Sequence, residues 1–408
     1  MKRSVGYYVI WYFVYLCSFL FVRNKKKYAF GGPQGSFKDN AKYLFIYASE
    51  HCKDVDVAWI TPYHRVVSQL TLMGLKAYHW RSVKGIWHAL TSRYWFYNSY
   101  ASDINLYLSG GATCIDLWHG VGLKCIQYSI KKGYYAQGYQ NPSFKDKIVY
   151  ADRYRRHDYF LSTTPCMTEL FSQSFRVPKN RCLELGYPRN YLLTASEKER
   201  RDYIRRYESC EMSDLIDRMR QYAQVLLYMP TWRDTQRTLF TQHMDLDRLN
   251  DVLRSHDELM ILKPHPMVRA DRDDKDYSNL LFLASMMDVY PLLPYVQVLV
   301  TDYSSVLYDF LLIDEVRNPE GVSQAFLYTY DYEEYVNERD FFYPFDEYVA
   351  GNRVSDFEGF LHCVEQHDYA ITPQERQRLV QVFWGETAKY NASEKIMEFF
   401  VTSPAGRA

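Results

Sequence analysis

The chain has no excess of either charge: Lys and Arg total 49, and Asp and Glu total 49. A balanced field leaves no electrostatic footprint for nucleic acid, which is therefore not expected as a partner. It also has no C-x-x-C pair. The eight cysteines (Cys17, Cys52, Cys114, Cys125, Cys166, Cys182, Cys210 and Cys363) are scattered, most of them in apolar runs, as free buried thiols are. That pattern argues against a disulfide framework or a zinc site and favours a reducing compartment. Internal repeats and low-complexity segments are missing too. What remains is the composition of a folded globular protein, 47% hydrophobic and 24% charged. At 408 residues it exceeds one compact core and calls for two domains plus extensions. Tyr is abundant, at 39 residues, and suits interfaces with membranes and carbohydrate.

Residues 5–22 carry no charge; Lys2 and Arg3 precede them, and Arg23, Lys25, Lys26 and Lys27 follow. As a helix this stretch would span about 27 Å, just short of a bilayer core. It shows no small-residue cleavage site of a signal peptide. A core helix is one alternative. The reading preferred is a membrane anchor or an interfacial helix, rich in Tyr7, Tyr8, Trp11, Tyr12 and Tyr15. The stronger basic cluster on its carboxyl side would keep the remaining chain in the cytoplasm.

Beyond residue 24, strand-like runs alternate with amphipathic helical stretches, the signature of a layered α/β architecture. Strands are expected at 55–60, 94–98, 114–118, 159–162, 182–185, 224–229, 259–262, 279–284 and 296–300, and helices at 40–50, 66–74 and 246–255. Residues 373–400 read as closing helices. A highly charged helical linker, 196–220, separates the halves, with the boundary placed near 205.

Polar motifs recur where strands end. The most informative is 298–310, VLVTDYSSVLYDF, where an apolar run stops at Thr301-Asp302 and Tyr303-Ser304-Ser305 opens a helix. Free N–H groups and the helix dipole at such a junction attract anions. The run 259–262 likewise ends in Lys263-Pro264-His265-Pro266, placing a cation and an imidazole at a strand's carboxyl end, where α/β sheets bind ligands. Trp118-His119-Gly120, 186–189 and 230–233 complete the set. Two Rossmann-like domains facing across a cleft would bring all five together.

In this order the blocks DLWHGVGLK (116–124), GYPRN (186–190), YMPTWR (228–233), LKPHP (262–266) and VTDYSSVLYDF (300–310) resemble the CDP-glycerol glycerophosphotransferase family, which makes teichoic acids and related capsule polymers. Residues 28–43 and the acidic-aromatic tract 330–348 are also similar, so the resemblance covers roughly 25–400.

It implies a bacterial, cytoplasm-facing cell-membrane enzyme of GT-B fold. Such an enzyme moves a phosphoglycerol or other phosphoalditol from a CDP-alditol to a lipid-linked or polymer acceptor hydroxyl and releases CMP. The domains are then 1–24 as anchor or interfacial helix, 25–205 on the acceptor side, 206–385 for the CDP donor, and 386–408 as closing helix and tail.

His119 is the candidate base, because a near-neutral imidazole suits removal of a hydroxyl proton. Thr231, Arg233, His265, Thr301, Ser304 and Ser305 are candidates for the donor phosphates, Arg233 by forking onto phosphate oxygens. Gly120, Lys124, Arg189, Lys263 and Asp302 are supporting residues. Lys124 serves either the acceptor phosphate or a surface ion pair, and Asp302 braces its turn. No cofactor and no metal are expected: the D-x-D patterns at Asp54–Asp56, Asp245–Asp247 and Asp271–Asp273 read as solvated loops or caps.

The chain departs from the family pattern at Val121-Gly122, in a longer link at 317–322 and at Ala350-Gly351-Asn352. Glycerol or ribitol, primase or polymerase, and the acceptor all stay open. Two alternatives are a GT-B glycosyltransferase attacking a sugar carbon of a nucleotide sugar, and a non-catalytic scaffold of a polymer-synthesis complex.

Overall fold

Both faces of most strands in this chain are covered, so their apolar runs are continuous rather than alternating. The computed structural model describes residues 5–133, 135–231, 233, 241, 243–263, 275–284, 287–313, 323–369 and 371–402. His265 with its flanking prolines, Trp232, the link at 317–322 and the Asp271–Asp273 pair lie outside the described residues.

The first sheet contains β1 (Asn24–Phe30), β2 (Asp56–Thr61), β3 (Ala77–His79), β4 (Ser92–Tyr97), β5 (Thr113–Asp116), β6 (Tyr159–Ser162) and β7 (Cys182–Glu184). Its order is β3-β2-β1-β4-β5-β6-β7, and every pairing is parallel. The second sheet contains β8 (Gln224–Tyr228), β9 (Glu258–Leu262), β10 (Leu280–Phe282), β11 (Val298–Thr301), β12 (Gln324–Tyr328) and β13 (Asn352–Val354). Its order is β10-β9-β8-β11-β12-β13, again all parallel. Each order reverses once, between β1 and β4 and between β8 and β11. Ligands of doubly wound sheets gather at the carboxyl ends of the strands flanking that reversal.

Side chains alternate between two cores, as the period of a strand requires. In β8, Val225 and Leu227 join the large core that runs through both halves, while Leu226 and Tyr228 face a second core. That second core lies under helices Leu246–Ser255 and Phe357–Gln366. In β4, Tyr94 and Phe96 face the large core, whereas Trp95 and Tyr97 pack on the other face of the first sheet. The last helix, Ala392–Thr402, returns from the second half to the first sheet. There the Phe400 ring meets Tyr94 at 5.3 Å, Phe96 at 5.2 Å and Tyr159 at 5.6 Å between centroids.

The expected elements hold within one to three residues for most strands: 159–162 is β6, and helix Leu246–Ser255 has the expected ends. The apolar run 5–22 is helical only in part. The helix is Val5–Ser18, 14 residues, and no helix among the described residues is long and apolar enough to cross a membrane. The apolar run outlasts the helix because the chain turns at residues 19–21 to enter β1, whose first half carries Lys25, Lys26 and Lys27. One face of the helix is docked: Trp11 packs on Tyr107 at 5.2 Å, and the Tyr12 hydroxyl donates to the Ile148 carbonyl.

A cationic cavity between the two sheets

The loop after β5 carries His119, and a buried asparagine pair shapes it. Trp118 has φ 50°, a left-handed conformation disfavoured for a bulky residue. Asn40 Nδ2 donates to the carbonyls of Leu117 (3.1 Å) and Trp118 (3.0 Å) and so offsets that strain. Asn98, just past β4, is held by the Ala41 N–H at its side-chain oxygen and by its own N–H on Asp103. Its carbonyl lies 3.2 Å from His119 Nδ1. A carbonyl only accepts, so in the neutral ring Nδ1 carries the proton and Nε2 keeps its lone pair.

The His119 ring is exposed to a cavity yet set among protein groups. Burial, with Arg189 and Lys124 nearby, holds its pKa below the ordinary imidazole value, against the pull of Asp39 and the Asn98 carbonyl.

The cavity has a volume of about 420 Å³ and is walled by both halves. From the first come His119, Gly120, Gly122 and Lys124; from the second come Thr231, Lys263, Ser304, Ser305 and Arg339. Lys124, Lys263 and Arg339 give it three cations, and no carboxylate lines it among the described residues. Burial and the neighbouring Lys38 lower Lys263 to about 8, with Asp288 opposing. The Thr231 hydroxyl is buried without a hydrogen-bond partner among the described residues.

Close approach of the two walls depends on glycine: a Cβ on Gly120 would stand 2.7 Å from Ser305 Oγ. The helix that follows Ser305 is short, Val306–Phe310. Its dipole is correspondingly small, so the hydroxyls and backbone N–H groups of Ser304 and Ser305 are the main donors this turn offers.

Several expected site residues are occupied elsewhere. Thr301 is fully buried and donates to the Met229 carbonyl at 2.7 Å, away from the cavity. Arg233 makes a buried ion pair with Asp302 at 2.8 Å and a bidentate one with Asp331. The fork expected to hold phosphate thus holds carboxylates. Burial opposes the charge of Arg233, but the two carboxylates outweigh it and keep the pKa above the ordinary value. Asp302 also accepts the backbone N–H groups of Thr231 and Tyr303, which ties the β8 turn to the β11 turn.

Arg189 joins the halves. It donates to Asp39 (2.8 Å) and the His119 carbonyl (2.7 Å) on one side and to Asp309 (2.8 Å) on the other. Tyr290 donates to the same Asp309 oxygen at 2.7 Å. Lys42 makes a second junction, bridging Glu208 at 2.5 Å and Asp288 at 2.9 Å. Tyrosines serve this seam repeatedly, Tyr187 to the Gly120 carbonyl and Tyr43 to Asp288. Each brings a rigid ring and one hydroxyl, which gives the abundant residue type a structural use.

The sequence profile of the CDP-glycerol:poly(glycerophosphate) glycerophosphotransferase family matches residues 13–401. A teichoic acid glycerol-phosphate transferase of Staphylococcus aureus is 27% identical, over 83% of this chain and 82% of that one. A teichoic acid ribitol-phosphate primase of Bacillus spizizenii is 26% identical over 82% of both chains. Among solved structures, the wall teichoic acid polymerase TagF superposes with a TM-score of 0.70 at 21% identity, covering 93% of this chain and 91% of that chain. UDP-GlcNAc 2-epimerase of Neisseria meningitidis gives 0.51 at 12% identity, covering 92% and 99%.

Proposed function

Because this chain belongs to the CDP-glycerol:poly(glycerophosphate) glycerophosphotransferase family, we propose that it moves a phosphoglycerol or related phosphoalditol from a CDP-alditol to an acceptor hydroxyl of a teichoic acid-type polymer, releasing CMP. The observation carrying this reading is the cavity, which sets an imidazole from one sheet against hydroxyls and cations from the other. A pyrophosphate diester fits that environment of cations and hydroxyl donors.

In the proposed reaction the acceptor oxygen attacks the phosphorus bearing the alditol, and His119 Nε2 takes the hydroxyl proton. The new P–O bond forms as the bridging P–O bond to CMP breaks, so negative charge grows on the CMP phosphate. Lys124, Lys263 and Arg339 neutralise that charge, and Thr231, Ser304 and Ser305 donate hydrogen bonds. Arg233 and Thr301 act at one remove by fixing the two turns, and Arg189 positions the His119 carbonyl. His265, outside the described residues, stays with the donor phosphates on its sequence pattern. One of the similar TagF structures was soaked with CDPG, which supports the donor class. The two facing sheets are read as the acceptor-side and donor-side units of a GT-B enzyme.

The test is CMP release from CDP-glycerol and CDP-ribitol, with UDP- and GDP-sugars in parallel. Turnover of a nucleotide sugar alone would sink the reading. The pH profile adds a sharper condition. A base works only when deprotonated, and His119 is held below the ordinary value of about 6.5. We expect kcat/KM to hold as pH falls to 6.5 and to drop only below it. An acid limb centred above 7 would remove His119 from this role.

The amino-terminal helix is proposed to lie on the cytoplasmic membrane surface. Its undocked face exposes Phe13 (67%), Leu16 (65%) and Leu20 just beyond it (82%). Phe21 contacts Trp87, which extends this apolar patch to helix Val83–Thr91. An interfacial helix binds by such a face. Leu16→Asp/Leu20→Asp should abolish co-sedimentation with anionic lipid vesicles, and undiminished sedimentation would rule the surface out.

A further inference from the structure

A second cluster lies far from the cavity, at the other end of the second sheet. β9 ends at Leu262, beside Lys263 of the cavity, and begins at Glu258. At that beginning, His256 Nδ1 stands 3.1 Å from His367 Nε2, and His367 Nε2 stands 2.9 Å from a Glu258 carboxylate oxygen. Among the described residues this is the group of His, Cys, Asp and Glu side chains with metal-ligand spacing, its three ligand atoms within 4.8 Å of one another. We propose that His256, Glu258 and His367 bind one divalent transition-metal ion of the zinc type, as a clamp that is separate from the catalytic cavity.

Proton counting favours a cation here. His256 Nδ1 and a Glu258 carboxylate oxygen both converge on His367 Nε2, which has either one proton to give or one lone pair to offer. As a donor it serves one neighbour at a time, and as a bare lone pair it leaves the ionised Glu258 oxygen unmatched. A cation takes all three lone pairs at once. The Glu258 carboxylate is almost wholly buried, and its second oxygen has no hydrogen-bond partner among the described residues.

The spacing also suits a metal. Bonds of about 2.0–2.2 Å in tetrahedral geometry separate donor atoms by roughly 3.3 Å, so the two gaps at His367 Nε2, 3.1 Å and 2.9 Å, need to open by only tenths of an ångström. Two imidazoles and one carboxylate select zinc, cobalt or nickel over calcium and magnesium, and three protein ligands leave one position for water.

The backbone is bent to build this cluster. Asp257, between two of the ligands, has φ 57°, and His367 has φ 53°. His367 sits at the carboxyl cap of helix Phe357–Gln366, where glycine or asparagine is the favoured occupant. The left-handed turn swings the imidazole back toward β9. His256 caps the other helix of the same face, Leu246–Ser255. A bound ion would therefore pin both covering helices to the first residue of β9, joining positions 111 residues apart in the chain. Binding that exists only in the folded state raises stability by mass action.

The test uses the full-length, tag-free protein, stripped by chelator and titrated with cobalt(II), which reports tetrahedral ligation by visible absorption, and then with zinc(II) as competitor. One equivalent should bind and raise the thermal midpoint. His367→Asn, which keeps a residue tolerated at this cap, and His256→Gln should each weaken binding by at least about tenfold, with an unchanged circular dichroism spectrum. CMP release should stay as in the wild type, because neither residue borders the cavity. Folded wild type that binds no cobalt or zinc overturns the proposal. So does undiminished binding in either variant, which would place the ion elsewhere.

Discussion

Replacing His119 by alanine is expected to lower CMP release from the CDP-alditol by about 10²–10⁴-fold, the usual contribution of a positioned general base. The folded state should hardly notice. The ring opens onto the cavity, and its Nδ1 contacts are the Asn98 carbonyl at 3.2 Å and Ser99 Oγ at 3.4 Å. Water entering the vacated space can replace both. The thermal midpoint of the variant should thus match the wild type while turnover collapses, and donor affinity should change little, because the hydroxyls and two of the three cations proposed to hold the phosphates lie on the other wall. Single-turnover measurements separate these quantities. A folded variant retaining turnover within about threefold would mean that the acceptor proton leaves by another route, and the proton-transfer assignment would fall.

The second large effect is on stability. Arg189→Met should destabilise the protein by about 3–5 kcal/mol, the cost of removing one partner from a buried ion pair. Asp309 is fully buried and would keep only the Tyr290 hydroxyl at its paired oxygen. Burial already raises the Asp309 pKa, with Arg189 opposing. Without the guanidinium it rises further. A carboxyl whose folded pKa lies above its unfolded one stabilises the fold when protonated and loses that contribution as pH rises. The deficit should therefore be larger at pH 7.5 than at pH 5, and Arg189→Met/Asp309→Leu should recover much of it. Denaturation midpoints at the two pH values decide the matter. A deficit independent of pH would mean that Asp309 is not the stranded charge.

Strand ends were legible in the sequence because parallel strands covered on both faces are uninterrupted apolar runs, and the first polar residues after them mark the site edge. That is why His119, Thr231, Lys263, Ser304 and Ser305 stand out as candidates, and all five border one cavity. β1 was missed because Lys25, Lys26 and Lys27 occupy its exposed first half and read as a flank of the preceding apolar run. β12 and β13 were missed as well, following a part of the chain with weak patterning.

Partner identity was the harder problem. Arginine's fork accepts a phosphate or a carboxylate equally well. Nothing local to Arg233 signals that Asp302 and Asp331, 69 and 98 residues away, would take it. Asn98 carried no signal and Asn40 only its place in the similar segment 28–43, because their roles exist only once the β4 and β5 ends meet the first turn of helix Asp39–His51. Arg339 had a weak one, as a member of the acidic-aromatic tract at 330–348.

The return of the last helix to the first sheet bears on how the protein comes into being on the ribosome. Chains usually fold from the amino end as they emerge. Here Tyr94, Phe96 and Tyr159 wait for Ile396, Met397 and Phe400, which are synthesised after the whole second sheet. The first half therefore spends most of translation with an open aromatic face, a surface for chaperones to hold. Its maturation is completed from the far end of the chain, so the two sheets reach their native state as a joint event.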